Sequence, residues 1–276
     1  MRIDAHQHFW DFDRVPYVWP TQDEEPIFRS IEPPELEGIL KEVQIDKTIL
    51  VQADNSYEDT QYMLEIAERY NWVAGVVGWV PLDKPDETAI RLESFLENPY
   101  FKGVRHLIHY EKDVNWLIQP RVIEGLNVLQ ANNVPFDVVA VLPEHLKLIP
   151  ILSEKLPNLR MVIDHLGKPP IASAQFEPWQ ELIKQAASNP NVYAKISGLN
   201  TAASADWVAE DLKPYIDIAF SLFGANRLMF GSDWPVLNLA GNYKGVLDSI
   251  ETVMAERNTE EVKDVFENTA TEFYQL

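Results

Sequence analysis

The sequence predicts an α/β fold, specifically a (β/α)₈ TIM barrel in one domain. Three observations predict it. Short apolar runs alternate with amphipathic helical stretches through the chain, and eight strand–helix units can be counted. The strand runs, such as Thr48-Ile49-Leu50-Val51, are apolar without alternation, as expected of parallel strands buried on both faces. An open doubly wound sheet would call for a glycine-rich phosphate turn, yet neither GxGxxG nor GxxxxGK[ST] occurs. At 276 residues the chain has the usual length of such a barrel, and the domain is expected to span residues 1–276.

In order, the first strand is the short extended stretch from Arg2, ending in Asp4-Ala5-His6-Gln7-His8. Residues 9–32 follow as a long irregular segment carrying Trp10, Phe12, Tyr17 and Trp19, with prolines at 16, 20 and 26. Loops of more than about 12–15 residues in compact domains tend to be functional, and the aromatics argue for order, so a lid over a pocket is expected. Pro33-Pro34 opens a helix with Leu36, Ile39, Leu40 and Val43 at helical spacing. The further strands are expected at 48–51, 73–80, 103–107, 135–139, 161–165, 192–196 and 227–231. Helices are expected at 58–70, 86–97, 120–132, 145–156, 178–188 and 207–223, the last bent at Pro214 and ended by Gly224. Two more close the chain, at 243–256 and 260–274.

Composition narrows the function. Against 43 acidic residues stand 23 basic ones, a formal charge of −20, which opposes nucleic acid and anionic membranes. No run of 18 apolar residues exists, so no membrane span is expected, and Met1–His6 lacks the apolar stretch of a signal peptide. Absence of cysteine rules out disulfides, thiolate metal sites and a cysteine nucleophile, and suits the cytoplasm. A small-molecule substrate is expected, and a homo-oligomer is compatible with the composition.

Catalytic groups of a (β/α)₈ barrel sit at the C-terminal ends of the strands. Those ends carry His6 and His8, Gln52 and Asp54, Trp79, Arg105 and His106, Asp164 and His165, Lys195 and Ser197, and Asp233-Trp234. Four of the six histidines fall there, which scattered surface histidines would not do. Imidazoles at i and i+2 on an extended segment point to one side, where both can meet one ligand.

Several stretches resemble the amidohydrolase superfamily, and within it the sugar-lactonase branch of the amidohydrolase-2 group. That branch holds L-fuconolactonase-like and L-rhamnonolactonase-like enzymes and the pyrone-dicarboxylate lactonase. The stretches are Ile3–Trp10, Gly103-Val104-Arg105-His106, Ile163-Asp164-His165-Leu166-Gly167-Lys168-Pro169, Lys195-Ile196-Ser197-Gly198-Leu199 and Phe230-Gly231-Ser232-Asp233-Trp234-Pro235. Where the two-metal members of the superfamily carry a bridging lysine or glutamate on strand 4, this chain has Arg105-His106; where they carry a histidine on strand 5, it has Asp137-Val138-Val139-Ala140. The resemblance therefore implies at most one divalent ion, Zn²⁺ or Mn²⁺, on His6, His8 and Asp233 with His165 near, and equally a metal-independent site.

It implies a hydrolase opening a sugar-acid lactone. Asp233 would be the general base on water, and Arg105, His6, His8 and His165 would stabilise the oxyanion. Arg105, Lys195, Trp79 and Trp234 are the expected substrate contacts, while His106 is expected to turn away from Arg105. The alternative is a metal-dependent non-oxidative decarboxylase of the wider group, which would want an added histidine on strand 5.

Overall fold

The computed structural model describes residues 1–276. Eight parallel strands follow one another around the sheet in chain order: β1 (Ile3–Gln7), β2 (Lys47–Val51), β3 (Val73–Gly78), β4 (Phe101–His106), β5 (Phe136–Val138), β6 (Met161–Ile163), β7 (Val192–Ile196) and β8 (Leu228–Phe230). The sheet closes just beyond β8, where Gln7 bridges Trp234 in parallel, His8 N–H donates to the Trp234 carbonyl at 2.7 Å and Asp233 N–H donates to the His6 carbonyl at 2.8 Å. Closure is pinned by Asp4. Its buried carboxylate accepts from Ser232 N–H at 2.7 Å, Ser232 Oγ–H at 2.6 Å and Tyr243 O–H at 2.9 Å.

The outer helices are α1 (Pro33–Val43), α2 (Tyr57–Arg69), α3 (Pro85–Leu96), α4 (Pro120–Ala131), α5 (Pro143–Lys155), α6 (Trp179–Ala187), α7 (Ala209–Phe223) and α8 (Tyr243–Met254). Proline at the first turn starts α1, α3, α4 and α5, where its missing N–H costs nothing. Ser56 and Asn242 cap α2 and α8 by accepting from Asp59 N–H and Gly245 N–H. The expected closing helix over 260–274 is divided into α9 (Thr259–Lys263), a wider turn at Asp264–Asn268 and α10 (Thr269–Tyr274). No helix is long and apolar enough to cross a membrane.

Two apolar layers result. The larger lies between sheet and helices. The smaller fills the barrel from its closed end, with Ile3, Ile49, Val77, Val162 and Met229 from the strands plugged by Phe273 and Tyr274 of α10. Residues 9–32 fold over the open end. Trp10 pairs with Ile31 and donates from Nε1 to the Arg29 carbonyl at 2.7 Å, and Tyr17 O–H donates to Asp59 Oδ1 at 2.7 Å.

Candidate active site

Under that cover lies a cavity of about 360 Å³ at the C-terminal ends of the strands, within the range of small-molecule sites. Trp10 and Trp19 of the covering segment line it, as do His8, Arg105, His165 and Asp233 from the strand ends and His109, Tyr110 and Lys168 from loops. Ala53, Leu107, Val139, Val141 and Val236 make its wall apolar.

Two strand ends shape the reacting corner. β6 stops at Ile163, two residues short of expectation, because the chain turns at Asp164 and passes through left-handed backbone at His165 (φ 55) and Leu166 (φ 49). Asp233 is left-handed as well (φ 62), a conformation aspartate tolerates better than most residues. The neighbouring backbone has to be bare. A Cβ on Gly198 would lie 2.7 Å from His165 Nδ1 and 2.8 Å from Asp233 Oδ2, and one on Gly231 would lie 2.6 Å from His6 Cβ.

Barrel closure brings Asp233 to the two first histidines. Asp233 Oδ1 lies 3.4 Å from His8 Nε2 and 3.8 Å from His6 Nε2, and those two nitrogens are 3.1 Å apart. On its other side Asp233 Oδ2 is 3.9 Å from His165 Nδ1, which shares a hydrogen bond with Ser197 Oγ at 2.9 Å. The His8 tautomer follows from its neighbour. A carbonyl only accepts, so Nδ1 carries the proton donated to Val51 O at 2.7 Å, and the Nε2 lone pair faces Asp233 and His6. His6 is held by its own Nδ1, 3.3 Å from Asp164 Oδ1 and 3.1 Å from Lys195 Nζ.

Burial keeps these rings uncharged near neutrality: it lowers His6 and His8 and brings His165 down to about 4. Burial by itself would raise Asp233, but in acid the positive charge of protonated His165, His8 and His6 holds its carboxyl well below the usual carboxylate range, so Asp233 gives up its proton before the rings do. The corner therefore presents an ionised carboxylate among neutral imidazoles.

The same residues suit a divalent ion. Tetrahedral nitrogen and oxygen ligands at zinc distances stand roughly 3.3–3.6 Å apart, and the His6, His8 and Asp233 atoms stand 3.1, 3.4 and 3.8 Å apart. His6, His165 and Asp233 also offer atoms within 4.8 Å of one another. The partners behind the rings, Val51 O for His8 and Asp164 for His6, are of the kind that orient metal-binding imidazoles.

Three expected substrate contacts lie elsewhere. Lys195 has no exposed surface and sits beneath the corner, its Nζ 2.6 Å from Asp137 Oδ2 and 3.1 Å from Asp164 Oδ1. Its length lets it fill the barrel interior instead of reaching the cavity. Trp79 is outside the cavity lining because its indole N–H is committed to His106 Nδ1 at 3.0 Å. An indole only donates, so His106 donates from Nε2 to Glu111 at 2.8 Å, and its ring stacks on Trp116, turned from Arg105 as expected. Trp234 is buried edge-on against Phe9, 5.6 Å between centroids. Arg105 does reach the cavity, yet its Nε donates to Gln52 Oε1 at 3.2 Å, Nη2 to the Gln52 carbonyl, and Nη1 to Asp164 Oδ2 at 3.1 Å. Trp10 and Trp19 line the cavity from the segment expected to cover it, whereas sequence reasoning passed over His109, Tyr110 and Lys168 as cavity residues. Lys168 could have been found from its place three residues after His165; the others lie in loops whose paths have no local code.

A closed (β/α)₈ barrel with its histidine pair, β6 histidine and β8 aspartate in one covered corner defines a barrel hydrolase of the amidohydrolase kind. The chain belongs to the amidohydrolase family, which it matches over residues 3–276. It is 39% identical to a protein named L-fucono-1,5-lactonase from Burkholderia ambifaria, over 88% of this chain and 83% of that one. A protein of the same name from Burkholderia multivorans is 32% identical over 100% of this chain and 96% of its own. A crystal structure of an amidohydrolase from Burkholderia multivorans with bound zinc superposes with a TM-score of 0.90 at 31% identity, covering 100% of this chain and 99% of that one.

Proposed function

We propose that this protein hydrolyses the lactone of a sugar acid, with Asp233 as the base that takes a proton from the attacking water. The observation that carries the assignment is Asp233 itself: a carboxylate held ionised in a buried corner, one oxygen toward His6 and His8 and the other toward His165, beside a cavity of sugar size. The likeness to proteins named L-fucono-1,5-lactonase supports the substrate class.

The substrate ring lies under Trp10 and Trp19, with its carbonyl toward His6, His8 and Arg105. Water adds to the carbonyl carbon as Asp233 accepts its proton, and the charge gathering on the carbonyl oxygen faces the Arg105 guanidinium. The acyl carbon–ring oxygen bond then breaks, the bonding pair stays with the ring oxygen, and Asp233 returns the proton to it. The product is the open hydroxy acid. A divalent ion held by His6, His8 and Asp233 would polarise the carbonyl and acidify the water. Where a decarboxylase would want its added histidine, at the end of β5, the cavity meets Val139 and Val141, which favours the lactone. The same reading has the protein work in the cytoplasm on a small molecule, without nucleic acid or membrane.

A pH-indicator screen of sugar lactones, L-fucono-1,5-lactone among them, with and without chelator, tests this. Protein-dependent acid release is expected from at least one of them. Its absence across the panel, with zinc or manganese supplied, would overturn the reading.

A further inference from the structure

The loop after β6 brings a second cation into the cavity. Lys168 stands in left-handed backbone (φ 54), its N–H donating to the His165 carbonyl at 2.9 Å, and its side chain lines the cavity with His165 and Asp233. Despite the 43 acidic residues of the chain, its ammonium has no carboxylate partner. Arg105, the other cavity cation, is tied to Gln52 and Asp164 on the floor. Lys168 belongs to the His165 side of Asp233, because the two share one tight turn after β6 in which the Lys168 N–H is held by the His165 carbonyl. Asp233 thus divides the corner. Oδ1 faces His6 and His8, with Arg105 Nη1 3.4 Å from His6 Nε2; Oδ2 faces His165, whose turn carries Lys168.

We propose that Lys168 stabilises the departing ring oxygen of the lactone by donating a hydrogen bond to it as the acyl C–O bond breaks. The inference rests on the lactone reading. The bonding pair goes to the ring oxygen, the carbonyl re-forms on the acyl carbon that gained the hydroxyl, and the proton held by Asp233 passes to the ring oxygen. Lys168 keeps its own protons throughout. The cavity that Lys168 lines is walled by Leu107, Val139, Val141 and Val236, and substrate seated there displaces water from between the ammonium and the developing charge.

A donor to the leaving oxygen matters most when that oxygen departs as a poor leaving group. The test compares Lys168→Met and Lys168→Arg with wild type on two lactones. δ-Valerolactone expels an alkoxide, and dihydrocoumarin expels a far more stable phenoxide. Lys168→Met is expected to lower kcat on δ-valerolactone by ~10²–10³-fold and on dihydrocoumarin by less than about tenfold. Lys168→Arg, which keeps charge and donors, should recover most of the loss. Equal losses on both lactones, or none on δ-valerolactone, overturn the role of Lys168 while leaving lactone hydrolysis standing. A wild-type enzyme silent on both, and on the sugar lactones, overturns the lactone reading and this inference with it.

Discussion

At the scale of single residues, the chemistry depends on one carboxylate staying ionised among histidines that stay neutral. Asp233→Asn removes the acceptor but keeps the shape, so kcat/KM should fall ~10²–10⁴-fold with the melting temperature little changed; near wild-type turnover would remove Asp233 from the mechanism. The pH profile should carry the same signature. A histidine whose pKa is lowered by burial binds its proton only below that value. His165, at about 4, therefore stays neutral through the mildly acidic range, and protonating it would set a cation against Asp233. The acid limb of kcat/KM, recorded without added metal, should then centre near pH 4, and a limb near the ordinary histidine value of about 6.5 would contradict it.

At the scale of elements, the corner is made by strand ends that break strand geometry. β6 gives way to left-handed backbone at His165, Asp233 is left-handed just past β8, and Gly198 after β7 (φ 57) leaves the space both side chains fill. Gly198→Ala would force a Cβ to within 2.7 Å of His165 Nδ1 and 2.8 Å of Asp233 Oδ2. The left-handed alanine itself costs only ~1–2 kcal/mol, so the variant should fold with a modestly lowered melting temperature yet lose more of its kcat than Lys168→Arg does. Wild-type kcat in folded Gly198→Ala would show that the corner tolerates the shift.

At the scale of the whole molecule, the site stands on a charged floor inside the barrel. Lys195 from β7 links Asp137 of β5 to Asp164 beyond β6, and Tyr274 of the terminal helix donates to Asp137 at 2.8 Å. Burial would raise Asp164, but Lys195, His6 and Arg105 hold its carboxyl well below the usual range. Breaking a buried pair leaves an uncompensated charge, so Lys195→Met should lower the unfolding free energy by ~3–5 kcal/mol in urea titrations. A loss below about 1 kcal/mol would mean that the floor is held by packing alone.

The sequence by itself determined the barrel and most of the corner. Alternating apolar runs and amphipathic helices are local patterns set by burial, so the strand and helix order could be read within a few residues, and the His6-x-His8, Asp164-His165 and Gly-Ser-Asp233 stretches fell at strand ends because each directly follows its apolar run. Only the tertiary structure decided who meets whom. Closure across Gln7 and Trp234 sets Asp233 beside His6 and His8, residues more than 220 positions away. It also sends Lys195 to the floor, turns Trp79 onto His106, buries Trp234 on Phe9, and admits His109, Tyr110 and Lys168 to the cavity. The reason is physical. A strand's period says which side of the sheet a residue takes, but the length of its side chain, the partner it finds across the barrel and the path of the loops say whether it reaches the cavity, and none of these is encoded nearby in the chain.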